Sequence, residues 1–156
     1  MLHVPGLRSP YAKVGRLVYF GRMLDKIRLH AAGKLPPDYH DNLGDTKPGV
    51  FDTRCCQFLG VSYEDLKRRT LDGGSDEEIL AWAEHKGGRG RTDDEQVIWN
   101  SFMMKRGWRD DAACLERLRR RVVEGGLTDK TIETFFDFIA FDEGRNPVAE
   151  RPWEKI

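Results

Sequence analysis

Residues 75–107 read SDEEILAWAEHKGGRGRTDDEQVIWNSFMMKRG, and they decide the fold class. Ser75 followed by Glu78, and Thr92 followed by Glu95, are capping boxes. In each, the hydroxyl accepts from a first-turn amide while the carboxylate accepts from the N-cap amide. Gly87-Gly88 and Gly107 stand where a left-handed residue ends a helix. Two helices follow, 76–86 and 93–106. The same punctuation continues outward. Ser62 with Asp65 and Thr128 with Thr131 are weaker starts, and Ser9-Pro10 offers an N-cap with Pro at the first helical position. Gly33, Gly60, Gly73-Gly74, Gly125-Gly126 and Gly144 are stops. The pattern predicts about seven helices: 10–32, 51–59, 63–72, 76–86, 93–106, 111–124 and 129–142. No stretch alternates apolar and polar residues between turn signals, so the expected fold is all-α.

At 156 residues the chain fits one domain. We place it at 1–145, followed by an irregular tail over 146–156 whose prolines oppose a helix and whose Trp153 is positioned to pin it down. The irregular stretch 33–50, GKLPPDYHDNLGDTKPGV, exceeds the usual helix connection and is the type of loop that carries function. Twenty-six basic residues balance twenty-six acidic ones. No global field therefore recruits nucleic acid, which is not an expected partner. No apolar run is long enough to span a membrane, and MLHVPGLRSP lacks a signal peptide's apolar core. Three cysteines, Cys55, Cys56 and Cys114, make no disulfide framework and suit a reducing, cytoplasmic setting.

Three helices raise questions of burial. In 93–106, Ile98 and Phe102 share a face flanked by Val97, Met104, Trp99 and Met103, so burial on several sides or an interface is expected. In 129–142, Ile132, Phe135, Phe136 and Ile139 form a stripe that Phe138 and Phe141 widen. These are core aromatics, or a groove for a protein partner or apolar ligand. Arg117, Arg119, Arg120 and Arg121 surround a helix that buries Leu115, Leu118 and Val122. With Glu116 and Glu124 among them, they are expected to fan over a solvated face, the alternative being contact with phosphate.

Chemistry concentrates near the N-terminus. The first forty residues carry seven Lys or Arg against Asp25 and Asp38, an excess that the rest of the neutral chain offsets. Such polarity favours anionic ligands on one side, and it is equally what two complementary halves produce. On the first helix, Val14, Leu17, Val18, Gly21, Leu24 and Ala32 define an apolar side into which Asp25 and Arg28 project, with Arg22 at its margin. Buried charge must be paired and hydrogen-bonded. Asp25 and Arg28 are therefore a structural ion pair or the floor of a polar pocket, and Gly21 permits close approach there. The following loop offers Tyr39 and His40, a hydrogen-bond donor and a group that exchanges protons near neutral pH. The alternative for His40 is to satisfy loop carbonyls.

Metal ligation is weakly encoded. His30, His40, Cys55, Cys56 and His85 show none of the close ligand spacings, and no metal is expected. Cys55 shares a face with Phe51, Phe58 and Leu59, whereas Cys56 points elsewhere and would be reactive beside a cation such as Arg54. GGRGR at 87–91 lacks the Lys-Ser/Thr of a phosphate-binding loop, and no cofactor is expected.

The segment PGLRSPYAKVGRLVYFGRMLDKIRLHAAGKLPPDYH, with FDTRCCQFLGV, SDEEILAWA, IWNSFMMKRGWRD and FDFIAFDEGR, resembles a bacterial family known as domain of unknown function 5069. The resemblance runs from about Pro5 to Arg145. It places Arg8, Pro10, Lys13, Arg22, Asp25, Lys26, Arg28, Tyr39, His40 and Asp52 on the family's recurring polar signature. Relatives carry an aromatic residue near Cys55–Cys56, and DTKPG before Phe51 is a further departure. The resemblance implies a cytoplasmic helical domain with no catalytic assignment.

The leading expectation is a domain that binds a small anionic ligand or a partner through the first helix and the following loop. Arg22, Lys26 and Arg28 would supply the charge, Asp25 would orient Arg28, and Tyr39 and His40 would close the site. The rivals are an enzyme using His40, Tyr39 and Asp25 catalytically, and an interaction module built on the aromatic helix 129–142.

Overall fold

Both capping boxes form. The Ser75 and Thr92 hydroxyls each accept a bond from the amide three residues on, and Glu78 and Glu95 accept from the N-cap amides. The computed structural model describes residues 3–155. Among these the helices are α1 (Phe20–Ala31), α2 (Phe51–Leu59), α3 (Tyr63–Leu71), α4 (Asp76–Lys86), α5 (Asp93–Lys105), α6 (Ala112–Glu124), α7 (Phe135–Asp142) and the short α8 (Pro147–Glu150). The fold is all-α, as the punctuation predicts. A 3-10 turn, Pro37–Asn42, lies within the long loop, and Pro152–Glu154 form another in the tail. None of these helices is long and apolar enough to cross a membrane.

The first predicted helix is half as long as expected. Residues 10–19 instead hold a small antiparallel hairpin, β1 (Lys13–Val14) and β2 (Leu17–Val18), turned through Gly15 at φ 56°. Side chains of α5 fix it: Trp99 Nε1 donates to the Val18 carbonyl, Asn100 Oδ1 accepts from the Val18 amide, and Asn100 Nδ2 donates to the Arg16 carbonyl. Tertiary hydrogen bonds thus supply what helical ones would have given. The helix expected over 129–142 also starts late. Thr134, not Thr128, is its N-cap, accepting from the Asp137 amide.

Helix α1 is the hub. Its Phe20, Met23, Leu24 and Ile27 are buried with Leu59, Leu66, Ile79, Trp99, Met103 and Phe136 from α2, α3, α4, α5 and α7. A second cluster of Val4, Leu7, Leu35, Tyr39 and Leu43 holds the 33–50 loop against the N-terminal segment. Gly21 sits where a Cβ would come within 2.8 Å of the Arg8 side chain, so the close approach foreseen at this glycine is made by an arginine. Helix α5 is buried through Trp99, Met103 and Met104 alone, and Val97, Ile98 and Phe102 face outward. The tail is anchored by Arg151, which is buried and pairs with Asp137 at 2.7 Å, while Trp153 stays exposed.

Candidate functional site

Helix α1 carries charge on two faces. On the first, Asp25 is held by Arg8: Nε and Nη2 donate to its two oxygens at 2.8 and 2.9 Å, and the Arg8 amide adds a third bond at 3.0 Å. Arg28 reaches Asp25 only at 3.7 Å and binds Asp76 at 2.8 Å, so the pairing read from sequence is secondary to two others. Arg8 also meets Asp76 at 2.7 Å, which closes a four-membered network tying the N-terminal segment and α1 to the start of α4. The Arg8 guanidinium is held above its usual pKa, chiefly by its bond to Asp25.

The second face presents Arg22 and Lys26, one turn apart and both buried. Arg22 grips Glu143 through both terminal nitrogens and donates to the Arg8 carbonyl at 2.9 Å. Glu143, buried in turn, also accepts from Tyr39 Oη at 3.1 Å and Arg145 Nε at 3.2 Å. Burial alone would raise the Glu143 carboxyl, but bonds from Arg22, Arg145 and Tyr39 hold it below the usual carboxylate range. Lys26 Nζ pairs with Asp52 at 2.7 Å and donates to Tyr19 Oη at 3.0 Å and the Asn42 carbonyl at 2.8 Å, which uses its three protons. Burial pulls its pKa down, against the attraction of Asp52. Tyr19 precedes α1 at φ 72° and donates to Asp52 at 2.7 Å, so this lysine sits under a backbone position that non-glycine residues seldom adopt.

Above this floor opens a cavity of about 400 Å³. Its lining joins α1, the 37–50 loop, α2, α6 and α7, with Arg106 at the end of α5. Eight cationic side chains line it against three carboxylates. Arg117, Arg120 and Arg121 come from one face of α6 and Arg54 from α2. Among the described residues, none of these four forms an ion pair with a carboxylate. Gly49, at φ 84°, turns the chain into α2, and a Cβ built there would lie 3.7 Å from both Arg117 Nη1 and Arg54 Nη2. The two guanidiniums therefore flank one spot that glycine leaves open. Arg54 and Arg106 both lie against the Phe102 ring, at 5.4 and 5.6 Å from its centroid, and Arg54 Nε is buried without a hydrogen-bond partner. Phe51, Phe135, Phe138 and Ile139 supply apolar wall.

The structure divides the sequence-derived candidates. Arg22, Lys26 and Tyr39 converge beneath the cavity. Asp25 and Arg28 face the other side of α1, in the Arg8 network. His40 is exposed, its Nε2 set 3.0 Å from the Leu35 carbonyl and its ring 4.9 Å from that of His30, away from the cavity lining. Of the α6 arginines, Arg117, Arg119 and Arg120 are exposed, as a solvated face requires, and Arg117, Arg120 and Arg121 also line the cavity, whereas Arg119 does not. The spacing of the three lining arginines at i, i+3 and i+4 was the available signal, since it marks one helical face. Among the described residues no group of three His, Cys, Asp or Glu is placed to hold a metal ion. Burial raises the Cys56 thiol to about 12, and Arg54 does not make it a thiolate.

A family profile described as Domain of unknown function (DUF5069) matches residues 4–145. The chain belongs to this family. No curated protein matches it.

Proposed function

We propose that the protein binds a small anionic ligand in the cavity between α1, the 37–50 loop, α2, α6 and α7. The carrying observation is the convergence on one concavity of Arg54, Arg117, Arg120 and Arg121, none of which is in an ion pair among the described residues. Like charges near a protein surface repel by roughly 1–4 kcal/mol per close pair, a cost that an anion removes. The floor plays a different part. Arg22 holds Glu143 through both terminal nitrogens and Lys26 spends its three protons on Asp52, Tyr19 and Asn42, so they shape the cavity while the α6 and α2 arginines contact the ligand. Tyr39 is fixed from beneath by Glu143 and closes one end.

The test is calorimetric titration of the whole chain with inorganic phosphate and pyrophosphate at low salt. Binding is expected, weakening as salt screens the site. Arg117→Gln combined with Arg120→Gln should weaken it by about tenfold or more, because each loses a charge-assisted bond. Absence of heat and of any thermal-shift response to both anions would refute the proposal.

A further inference from the structure

The cavity wall has a composition that an inorganic anion does not explain. Phe51, Phe135, Phe138 and Ile139 are half-buried and line it, while Phe136, next in sequence to Phe135, is fully buried in the core. Helix α7 thus divides its aromatic side chains between the core and this cavity. The volume of about 400 Å³ equals that of roughly a dozen liquid waters. It falls in the range of small-molecule sites, about 300–1,000 Å³. A lone phosphate among the arginines would leave the apolar wall facing water, so a ligand that covers it gains hydrophobic contact.

The charged side of the cavity limits the anionic group. Four guanidiniums without ion-paired carboxylates offer more donors and charge than one carboxylate can use, since it brings two oxygens and a single charge. A phosphate monoester brings three acceptor oxygens and nearly two charges, and it takes bidentate bonds from arginine. Building on the anion-binding reading above, we propose that the ligand is an organic phosphate monoester with an apolar body. Its phosphate lies among Arg54, Arg117, Arg120 and Arg121, and its body lies against Phe51, Phe135, Phe138 and Ile139. Glycine at position 49 keeps a side chain from standing between Arg54 and Arg117, whose terminal nitrogens would each lie 3.7 Å from its Cβ.

The experiment titrates the whole chain, by calorimetry, with three probes: inorganic phosphate, phenyl phosphate and phenol. Phenyl phosphate should bind at least about tenfold more tightly than inorganic phosphate, because its ring leaves water. Phe138→Ser should erase most of that advantage. Phe138→Leu, which keeps an apolar side chain, should retain part of it and guards against a folding defect in the serine variant. Arg117→Gln with Arg120→Gln should weaken both phosphates and leave phenol unaffected. Equal binding of the two phosphates overturns the apolar-body proposal while the anion site stands. Failure of both phosphates to bind overturns the site itself. Binding of a ten-nucleotide single-stranded RNA more tightly than phenyl phosphate, with a steep salt dependence, overturns the small-ligand class in favour of nucleic acid.

Discussion

Replacing Glu143 by Gln tests the floor of the site most directly. The side chains of Arg22 and Glu143 are 4% and 2% exposed, so neither charge is stabilised by water. Glu143→Gln keeps the shape but removes the charge that compensates Arg22, and it also weakens the bonds from Tyr39 and Arg145. Removing one partner of a buried pair costs about 3–5 kcal/mol. At about 2–4 °C per kcal/mol for a chain of this size, the melting temperature should fall by roughly 6–20 °C. Urea unfolding followed by tryptophan fluorescence at pH 7 reads the loss as a lower midpoint with an unchanged slope. Arg22→Met with Glu143→Leu removes both charges and should recover most of the stability, since apolar replacement of a whole buried pair is often neutral.

The pH dependence supplies a second reading of the same pair. The Glu143 carboxyl is held below its ordinary value, near 4.3 in the unfolded chain. A depressed carboxyl contributes stability that is full above the unfolded pKa and is lost as pH falls through the folded one. The gap between the parent and Glu143→Gln should therefore be widest at neutral pH and narrow below about pH 4. A loss under about 1 kcal/mol at pH 7, the size of an exposed pair, or a gap that does not change with pH, would refute the assignment of Glu143 as the counter-ion that keeps Arg22 buried.

Three further outcomes follow from the geometry. Arg8→Ala removes three bonds involving Asp25 and Gly21 and should cost about 2 kcal/mol or more, whereas Arg28→Ala leaves Asp25 held and should cost about 1 kcal/mol or less; parallel urea titrations decide, and a reversed order would sink the assignment of Arg8 as the main partner. Gly87→Ala would place a Cβ 1.8 Å from the Leu59 carbonyl oxygen, a backbone clash that no rotamer relieves; a loss of at least about 3 kcal/mol is expected in thermal unfolding, and a neutral variant would contradict the contact. Burial holds the Cys56 thiol at about 12 and the Cys55 thiol well above its ordinary value; iodoacetamide at pH 8 should label neither in the folded protein, and rapid alkylation seen by mass spectrometry would show that this part of α2 opens.

What could be read from sequence was local. Capping boxes at Ser75 and Thr92 need only residues within one turn, and both helices appear where those residues place them. The hairpin at 13–18 escaped because two-residue strands show no alternation, and because its supports, Trp99 and Asn100, lie about eighty positions away. The charge on α1 was legible as an anomaly needing partners, but the partners were not: Arg8 lies beyond the helix, and Glu143 lies at the C-cap of α7, 121 residues from Arg22. For α6, the spacing of Arg117, Arg120 and Arg121 indicates a common face, yet only the docking of α7 and the 37–50 loop gives that face a cavity to line.

This difference in pairing separates architecture from binding. Lys26 and Arg22 are the most deeply placed cations of the cavity, and position alone would nominate them as ligand contacts. Lys26, however, commits its three protons to Asp52, Tyr19 and Asn42, and Arg22 commits both terminal nitrogens to Glu143 and the Arg8 carbonyl. A ligand could recruit them only by breaking buried charge-assisted bonds, each worth about 1.5–3 kcal/mol. Arg54, Arg117, Arg120 and Arg121 have no ion pair to give up among the described residues, so an anion reaches them without breaking one. Variants at the two levels should therefore behave in opposite ways. Arg117→Gln with Arg120→Gln should lose affinity and keep the melting temperature, while Glu143→Gln should lose stability and, with one cavity carboxylate gone, lose no phosphate affinity.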